Sequence, residues 1–283
     1  MPDIEPALTP SNHHQQQLSS MFDQDKDIGT SGLGAQCILR LAPIIAGHIY
    51  FTGRDAKRGV ALIQAVKAAA ARILSEQTRL DLLMANAGVT NQPPGLTADG
   101  YEVQFGTNFL SHALLIQKLL PLMDKTAKIA GSVTSTGFRG APSYVVNSID
   151  PNFSVFGGMM HYGQSKLAAV LYAQELARRH PDIVSISVTP GIVSTELVSK
   201  QNAFHRATIW LPAKITQGRL FLPQEAPASK LWCAVGPTSE IKQGAFYEHV
   251  GVLSKITTKY TMDEDLATKL WNWTEAELKA WLG

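Results

Sequence analysis

The stretch HYGQSKLAAVLYAQELARRHPDIVSISVTPG, residues 161–191, decides the fold class. Residues 161–180 have apolar side chains at helical spacing, which predicts an amphipathic helix. Residues 183–191, IVSISVTPG, are rich in β-branched side chains and end in Pro-Gly, which predicts a strand. A helix that leads directly into a strand is the repeating unit of a parallel α/β sheet.

The same alternation covers most of the chain. Strands are predicted at HIYFTGR (48–54), DLLMANAG (81–88) and KIAGSVTSTG (128–137). Helices are predicted at residues 35–46, 56–80 and 100–123. Pro121 is expected to stop the last of these helices. This order predicts a doubly wound, Rossmann-like parallel sheet, in which ligands bind outside the carboxyl ends of the strands, here TGR, NAG, TST and TPG.

The composition is that of an ordinary globular protein with balanced charge. The chain has 283 residues, of which 45% are hydrophobic and 17% charged, and a formal net charge of +2. Since no basic run stands out, nucleic acid and acidic membranes are not expected as main partners. Cys37 and Cys233 have no metal-ligand spacing, so we expect a reduced, cytoplasmic setting without a disulfide framework or a metal site. The most apolar early run is too short to cross a bilayer.

The first residues differ from the rest in composition. Residues 1–20 are polar and contain prolines, and we expect a disordered tail there. Residues 21–283 are expected to form a single Rossmann-like domain, because a chain of this length can build one large α/β domain.

Tyr162 and Lys166, in YGQSK, are the first candidates for chemistry. They lie one helical turn apart, so both side chains can face one spot. A nearby ammonium lowers the pKa of a tyrosine towards neutrality, which makes Tyr162 a candidate general acid and base. The pair alone is common by composition. Asn86, Asn108 and Ser135 accompany it, and singly they read as a turn residue, a hydrogen-bonded structural asparagine and a capping serine.

In this combination and order, the residues resemble the short-chain dehydrogenase/reductase family, most closely a retinol-dehydrogenase-like branch common among fungal oxidoreductases. The resemblance covers the chain from about Gly29 to its end. It rests on GTSGLG, YFTGR, LDLLMANAG, QFGTNFLSHALL, SVTSTG, YGQSKLA and VTPGIVSTEL, with GAFYEHVG and ATKLWNWTEAEL in the tail. YGQSK with NAG and TPG is a specific combination, whereas GTSGLG alone is a weak signal.

The resemblance implies a catalytic set of Asn108, Ser135, Tyr162 and Lys166. Tyr162 would exchange a proton with the substrate oxygen, and Lys166 would hold the nicotinamide ribose. Ser135 would orient the substrate oxygen, and Asn108 would hold a water that links Lys166 to solvent. The implied reaction is hydride transfer between a nicotinamide cofactor and a small carbonyl or alcohol substrate. Family members often pair as dimers or tetramers, so the resemblance is compatible with a homo-oligomer.

The resemblance also implies which residues contact the cofactor: Gly32, Leu33, Gly34, Asn86, Lys118, Tyr162, Lys166, Val193 and Thr195. The helix N-terminus behind Gly34 would offer amides to the pyrophosphate. The choice between NAD and NADP depends on the end of the YFTGR strand, where an arginine accommodates the 2′-phosphate and an acid bonds the 2′-hydroxyl. Because Arg54 stands there, one position before Asp55, we expect NADP.

Two departures from the family pattern affect the cofactor half. Asp27 and Ile28 stand where the family has a threonine and the first loop glycine, and the preceding DQDKD is too charged for a strand buried on both faces. Between Asp55 and Leu80 only helix-like sequence is present, where the family has a third strand with an adenine-binding Asp. We therefore expect a sheet that lacks or distorts its first and third strands, with two helices fused across a deletion.

Three interpretations stay open on the sequence. The protein is a working reductase with a reorganised cofactor site, a cofactor-free or non-catalytic member of the same fold, or a chain shortened by splicing or an erroneous gene model. The complete Asn-Ser-Tyr-Lys set favours the first. The substrate pocket is expected between residues 137–161 and 204–215, whose aromatic and apolar side chains suit a hydrophobic carbonyl compound. A role in secondary metabolism follows from family habit only.

Overall fold

The computed structural model describes residues 37, 40, 62–90, 92–126, 129–133, 157–191, 227–236, 238–248 and 250–282. The predicted tail, first strand, glycine loop and YFTGR strand lie outside these residues. Residues 62–81 contain one helix and no strand. Of the stretch between Asp55 and Leu80, Leu62–Glu76 is therefore helical, as the sequence predicts.

The described strands form one five-stranded sheet in the order β1-β2-β3-β4-β5. They are β1 (Leu82–Ala85), β2 (Ile129–Val133), β3 (Val184–Val188), β4 (Phe246–Glu248) and β5 (Val252–Leu253). Strands β1 to β4 run parallel to their neighbours, and β5 pairs with β4 as an antiparallel edge strand. Ala85 pairs with Ser132, and Val133 pairs with Val188, so the carboxyl ends of β1, β2 and β3 lie side by side. The predicted parallel α/β fold is confirmed.

Helices connect and cover these strands. They are α1 (Leu62–Glu76), α2 (Val103–Phe105), α3 (Ser111–Thr126), α4 (Gly157–Arg179), α5 (Pro227–Val235) and α6 (Glu264–Leu282). α1 is one continuous helix within the stretch where two fused helices were expected, and α4 begins before its predicted start at His161. Within the part of the chain that the structure describes, no helix is both long and apolar enough to span a membrane.

The prediction that the helix stops at Pro121 was wrong, because α3 runs through this proline to Thr126. A proline inside a helix removes one backbone hydrogen bond and costs about 3 kcal/mol. Pro121 is exposed, so its ring points away from the core. Leu119, Leu122 and Met123 are buried on the other side. Burial of each such side chain contributes about 1.5–3 kcal/mol, which outweighs the loss at the proline.

The sheet is covered on both faces. Ser185 Oγ of β3 donates to the carbonyl oxygen of Ala173 in α4 at 2.9 Å. The neighbouring Ile186 and Val188 pack with Cys233 of α5 in a separate apolar cluster. Because alternate residues of a strand face opposite sides, α4 and α5 cover opposite faces of the sheet. α1, α3 and α6 belong to the α4 layer, since α1 packs on α3 and α6 packs on α4 and α3.

The C-terminal helix α6 is held across α4 by charged and aromatic contacts. The carboxylate of Glu175, buried within α4, accepts hydrogen bonds from Arg178 and from Arg179 Nε, the latter at 2.7 Å. The Tyr172 ring stacks on Trp271 of α6 with the ring centroids 4.6 Å apart, and Arg179 lies over the same indole ring. ATKLWNWTEAEL, one of the tail stretches that resemble the family, is therefore part of the helical layer formed with α4.

Candidate active site

Asn108 is clamped to the chain that follows β1. Its side chain is 1% exposed. Asn108 Oδ1 accepts from the backbone N–H of Val89 at 2.7 Å, and Nδ2 donates to the Val89 carbonyl oxygen at 2.9 Å and to Ser165 Oγ at 3.0 Å. The Ser165 hydroxyl in turn donates to the Tyr162 carbonyl oxygen at 2.7 Å. Asn108 thus joins the NAG turn to the first turns of α4.

A π-helical segment, Gly106–Leu110, presents Asn108 to this turn. Single π-helical turns are rare and often occur at functional sites, because the extra residue changes the direction of the side chains. Gly106 permits the close approach of the preceding loop, since a Cβ there would lie 2.9 Å from Thr97 Cγ2. The sequence predicts an ordinary helix here, and the π-helical segment was not predicted. Gly106, inside an apolar helical pattern, was the available signal.

Tyr162 and Lys166 lie one turn apart on α4, and their side chains come together as predicted. Lys166 Nζ is 5.6 Å from the centroid of the Tyr162 ring. The Lys166 side chain is 4% exposed, whereas Tyr162 is half-buried. A Cβ on Gly88 would lie 3.2 Å from Asn108 Oδ1 and 3.4 Å from Lys166 Nζ. The structure therefore brings Asn108, Tyr162 and Lys166 to one spot at the carboxyl end of β1.

The electrostatics of this spot come from burial. Burial, reinforced by the positive charge of Lys230, lowers the pKa of Lys166 to about 8. Lys166 is therefore still mainly protonated at neutral pH, and its charge favours the phenolate of Tyr162. Burial, reinforced by the charge of Lys166, lowers the pKa of His112 to about 4. His112 Nδ1 lies 3.0 Å from the Asn108 carbonyl oxygen, so the neutral ring must carry its proton on Nδ1.

Lys230 is a second lysine at the site, and it was not predicted from the sequence. It lies on α5, is 0% exposed, and donates a hydrogen bond to Asn86 Oδ1. Burial lowers the pKa of Lys230 to about 8, against the influence of Cys37. Burial also raises the pKa of the Cys37 thiol, opposed by the charges of Lys230 and Arg40. The apolar neighbours of Lys230 in PASKLWCAV were the only signal in the sequence.

The remaining predicted residues fall into two groups. Lys118 lies about 15 Å along the helix axis from Asn108, at 1.5 Å per residue, and donates to the Leu282 carbonyl oxygen at 3.0 Å. The structure therefore brings Lys118 to the end of α6 and not to this group. The other predicted site residues lie outside the described part of the chain: Gly32, Leu33, Gly34, Arg54, Ser135, Val193 and Thr195.

The described residues at the end of β1 fit a nicotinamide cofactor. Ala87 and Gly88 are exposed, while Asn108 and Lys166 are buried directly beneath them. The glycine leaves its backbone open to close approach, at a point where a side chain would press on Lys166 and Asn108. Here the ammonium of Lys166 and the amide of Asn86 can serve the hydroxyl groups of a ribose. Among the described residues, no cluster of histidine, cysteine or acidic side chains could hold a metal ion.

Comparison with known proteins gives consistent matches. A family model described as short chain dehydrogenase matches residues 53–206. The short-chain dehydrogenase/reductase drtF of Aspergillus calidoustus is 30% identical over 77% of this chain and 74% of its own length. Retinol dehydrogenase 11 of Homo sapiens is 32% identical over 74% of this chain and 64% of its own length.

Solved structures agree on the fold. The 3-alpha-hydroxysteroid dehydrogenase of Pseudomonas sp. B-0831, solved in complex with NADH, has a TM-score of 0.59 and 19% identity, and the match covers 79% of this chain and 93% of that one. The family match spans more than half of the chain and includes the NAG turn, the π-helical segment and YGQSK. Fold, site and sequence therefore agree that this chain belongs to the short-chain dehydrogenase family and resembles its fungal and retinol-dehydrogenase-like members.

Proposed function

We propose that the protein is an oxidoreductase that transfers a hydride between NADP(H) and a small carbonyl or alcohol substrate. The observation that carries this proposal is the meeting of Asn108, Tyr162 and Lys166 at the carboxyl end of β1, where ligands of doubly wound sheets bind. A phenol beside a buried ammonium is suited to proton exchange with an oxygen atom.

Each residue has a role that its surroundings support. In reduction, the Tyr162 hydroxyl donates its proton to the carbonyl oxygen, and in oxidation the phenolate takes the proton of the alcohol. The Lys166 ammonium stabilises that phenolate through its charge and is held beside it by burial in α4. Asn108 keeps the NAG turn and α4 in fixed relation through its bonds to Val89 and Ser165. A bound nicotinamide ring supplies or accepts the hydride.

Ser135 completes the proposed set. It follows β2, whose carboxyl end lies beside that of β1, and a hydroxyl there suits a hydrogen bond to the substrate oxygen. The substrate is proposed to be a hydrophobic carbonyl compound, since residues 137–161 and 204–215 are rich in aromatic and apolar side chains. A cytoplasmic location and a role in secondary metabolism belong to the same proposal, supported by the two cysteines and by the fungal relatives.

The preference for NADP rests on Arg54, which ends the predicted YFTGR strand and can pair with a 2′-phosphate. Isothermal titration calorimetry with NADPH and with NADH tests this preference directly. We expect NADPH to bind at least about tenfold more tightly, equal to about 1.4 kcal/mol. Arg54→Ala should weaken NADPH binding and leave NADH binding unchanged. Equal affinities of the unsubstituted protein for the two nucleotides would refute the NADP preference.

A second function, binding without hydride transfer, is favoured by one feature of the sequence. Asp27 and Ile28 replace the residues that begin the glycine loop, and the family match begins only at residue 53. The two functions differ in a single measurement. If neither NADPH nor NADH gives a binding signal at millimolar concentration, the oxidoreductase proposal fails and the cofactor-free function stands.

The proton-transfer role of Tyr162 has its own test. Tyr162→Phe should abolish NADPH oxidation with a panel of hydrophobic aldehydes and ketones, because the proton donor is lost. NADPH affinity should stay within about threefold, because the ring remains. Tyr260→Phe, in the loop before α6, is the matched control and should retain full turnover. Turnover retained in Tyr162→Phe would remove Tyr162 from its role.

A further inference from the structure

We propose that Lys230 is a positioning residue of this site, which fixes the Asn86 side chain at the end of β1 and adds a second positive charge beside Lys166. This inference rests on the proposed function, because it assigns Lys230 to the same hydride-transfer site. It is independent of the YGQSK signature, since Lys230 belongs to α5, on the face of the sheet opposite α4. The two lysines thus approach one strand end from opposite sides.

The hydrogen bond from Lys230 fixes the orientation of the Asn86 amide. Asn86 directly follows β1 and begins the exposed NAG turn, and its Oδ1 accepts a hydrogen bond from the Lys230 ammonium. When Lys230 binds the amide oxygen, the Nδ2 group is directed away from Lys230, because the oxygen and the nitrogen diverge from one planar carbon. Lys230 therefore orients the amide that the family resemblance assigns to the cofactor.

The buried charge of Lys230 is costly for the folded protein. Lys230 is fully buried, and burying an ammonium is unfavourable unless it is paired with charge or well hydrogen-bonded. The hydrogen bond to Asn86 is to a neutral oxygen, and Cys37, the thiol that acts on Lys230, has its own pKa raised by burial. The Lys230 charge also acts on its neighbours, since it lowers the pKa of Lys166 further than burial alone does.

The groups that face the two lysines come from four elements. Lys166 and Tyr162 belong to α4, and His112 to α3. Cys37 and Arg40 belong to the helical stretch that follows the glycine loop, and Asn86 to the end of β1. His112 is neutral above pH 5, because its pKa is about 4. Between pH 6 and pH 9 the titrations that matter among these groups are therefore those of Lys166 and Lys230.

Two substitutions separate the hydrogen bond from the charge. Lys230→Gln keeps a donor for Asn86 and removes the charge, whereas Lys230→Met removes both in a side chain of similar length. Cys233→Ala, also buried on α5 but facing Ile186 and Val188, is the matched control for packing of this helix. Thermal unfolding establishes that each variant is folded before the other measurements.

The charge is read from titration and from the pH profile. Loss of a neighbouring positive charge raises the pKa of an ammonium and of a phenol. In both Lys230 variants, the pKa of Lys166 measured by ¹⁵N-lysine NMR should rise by about half a unit or more. The Lys166 signal is assigned by its loss in Lys166→Met. The titrating limb of kcat/KM should move in the same direction, while Cys233→Ala moves neither. Unchanged titration of Lys166 in both variants overturns the electrostatic part of the proposal.

The hydrogen bond is read from cofactor affinity. Lys230→Met should weaken NADPH binding by about tenfold, while Lys230→Gln stays within about threefold. Equal affinities of Lys230→Met and the unsubstituted chain overturn the positioning of Asn86. If both variants fail to fold, the ¹⁵N-lysine spectrum of the unsubstituted chain decides, and a Lys230 signal that NADPH leaves unchanged overturns the proposal. An unsubstituted chain that binds no nicotinamide nucleotide refutes the proposed function, and the Lys166 titration in Lys230→Gln still tests the electrostatic claim.

Discussion

Replacing Lys166, a buried lysine of the site, with methionine should stabilise the protein and abolish its turnover. The pKa of Lys166 is lowered from 10.5 to about 8, chiefly by burial. At about 1.36 kcal/mol per pKa unit, keeping this ammonium charged in the folded state costs about 3 kcal/mol. Lys166→Met fills the same space without a charge, so we expect a gain in the free energy of unfolding of about 1–3 kcal/mol at pH 7. The smaller values allow for lost contacts and for the share that Lys230 contributes.

The gain should depend on pH with a definite sign. Between pH 8 and pH 10.5 the unfolded chain binds a proton at Lys166 that the folded chain has lost, so the stability of the unsubstituted protein rises with pH in this window. The full cost is present below pH 8 and disappears above pH 10.5. At pH 9.5 the advantage of Lys166→Met should therefore have fallen to less than half of its value at pH 7.

Urea unfolding followed by fluorescence at pH 7.0 and pH 9.5 measures both quantities. Lys118→Met is the control. Lys118 Nζ donates to the Leu282 carbonyl oxygen in an exposed hydrogen bond, so this substitution should change stability by less than about 0.5 kcal/mol. A loss of stability in Lys166→Met at pH 7, or a gain of the same size at both pH values, would refute the reasoning. It would mean that burial does not destabilise the Lys166 ammonium in the folded protein.

Three further substitutions test the contacts around the site. Asn108→Ala leaves the buried N–H and carbonyl of Val89 without partners and should lower the free energy of unfolding by about 2–4 kcal/mol in urea titrations; a loss below 1 kcal/mol would show that water replaces the amide. Gly88→Ala places a Cβ 3.2 Å from Asn108 Oδ1 and should reduce kcat at least about tenfold with a stability loss of about 1 kcal/mol; unchanged kcat would contradict the tight approach. Burial would raise the pKa of Glu175, but hydrogen bonds from the adjacent arginines outweigh it and lower that pKa. Glu175→Gln should therefore lower the free energy of unfolding by about 1 kcal/mol above pH 4.5, and the two proteins should become equally stable as the pH falls below 4.5. A difference that persists at pH 3 would exclude the carboxylate as its source.

Local patterns were sufficient for the main elements around the site. The strand DLLM, the helix that begins near YGQSK and the strand VSISV were each predicted from spacing and composition, and each is present. Tyr162 and Lys166 were expected to meet because four residues make about one helical turn, and they do. The helix end at Pro121 was mispredicted because it does not depend on local pattern alone. Its outcome depends on the burial of Leu119, Leu122 and Met123 against other helices, which a local rule for proline does not contain.

The sequence by itself determined the alternation of helix and strand, the position of NAG at a strand end, and the shared face of Tyr162 and Lys166. These follow from side-chain periodicity and backbone preferences over a few residues. Only the tertiary structure decided that Asn108 closes on Val89, that Lys118 reaches the end of α6, and that Lys230 reaches Asn86. These contacts join residues far apart in the chain and depend on how α3, α5 and α6 pack on the sheet. Lys230 shows the reason most clearly, since a lysine is expected in solvent until two layers of the fold enclose it.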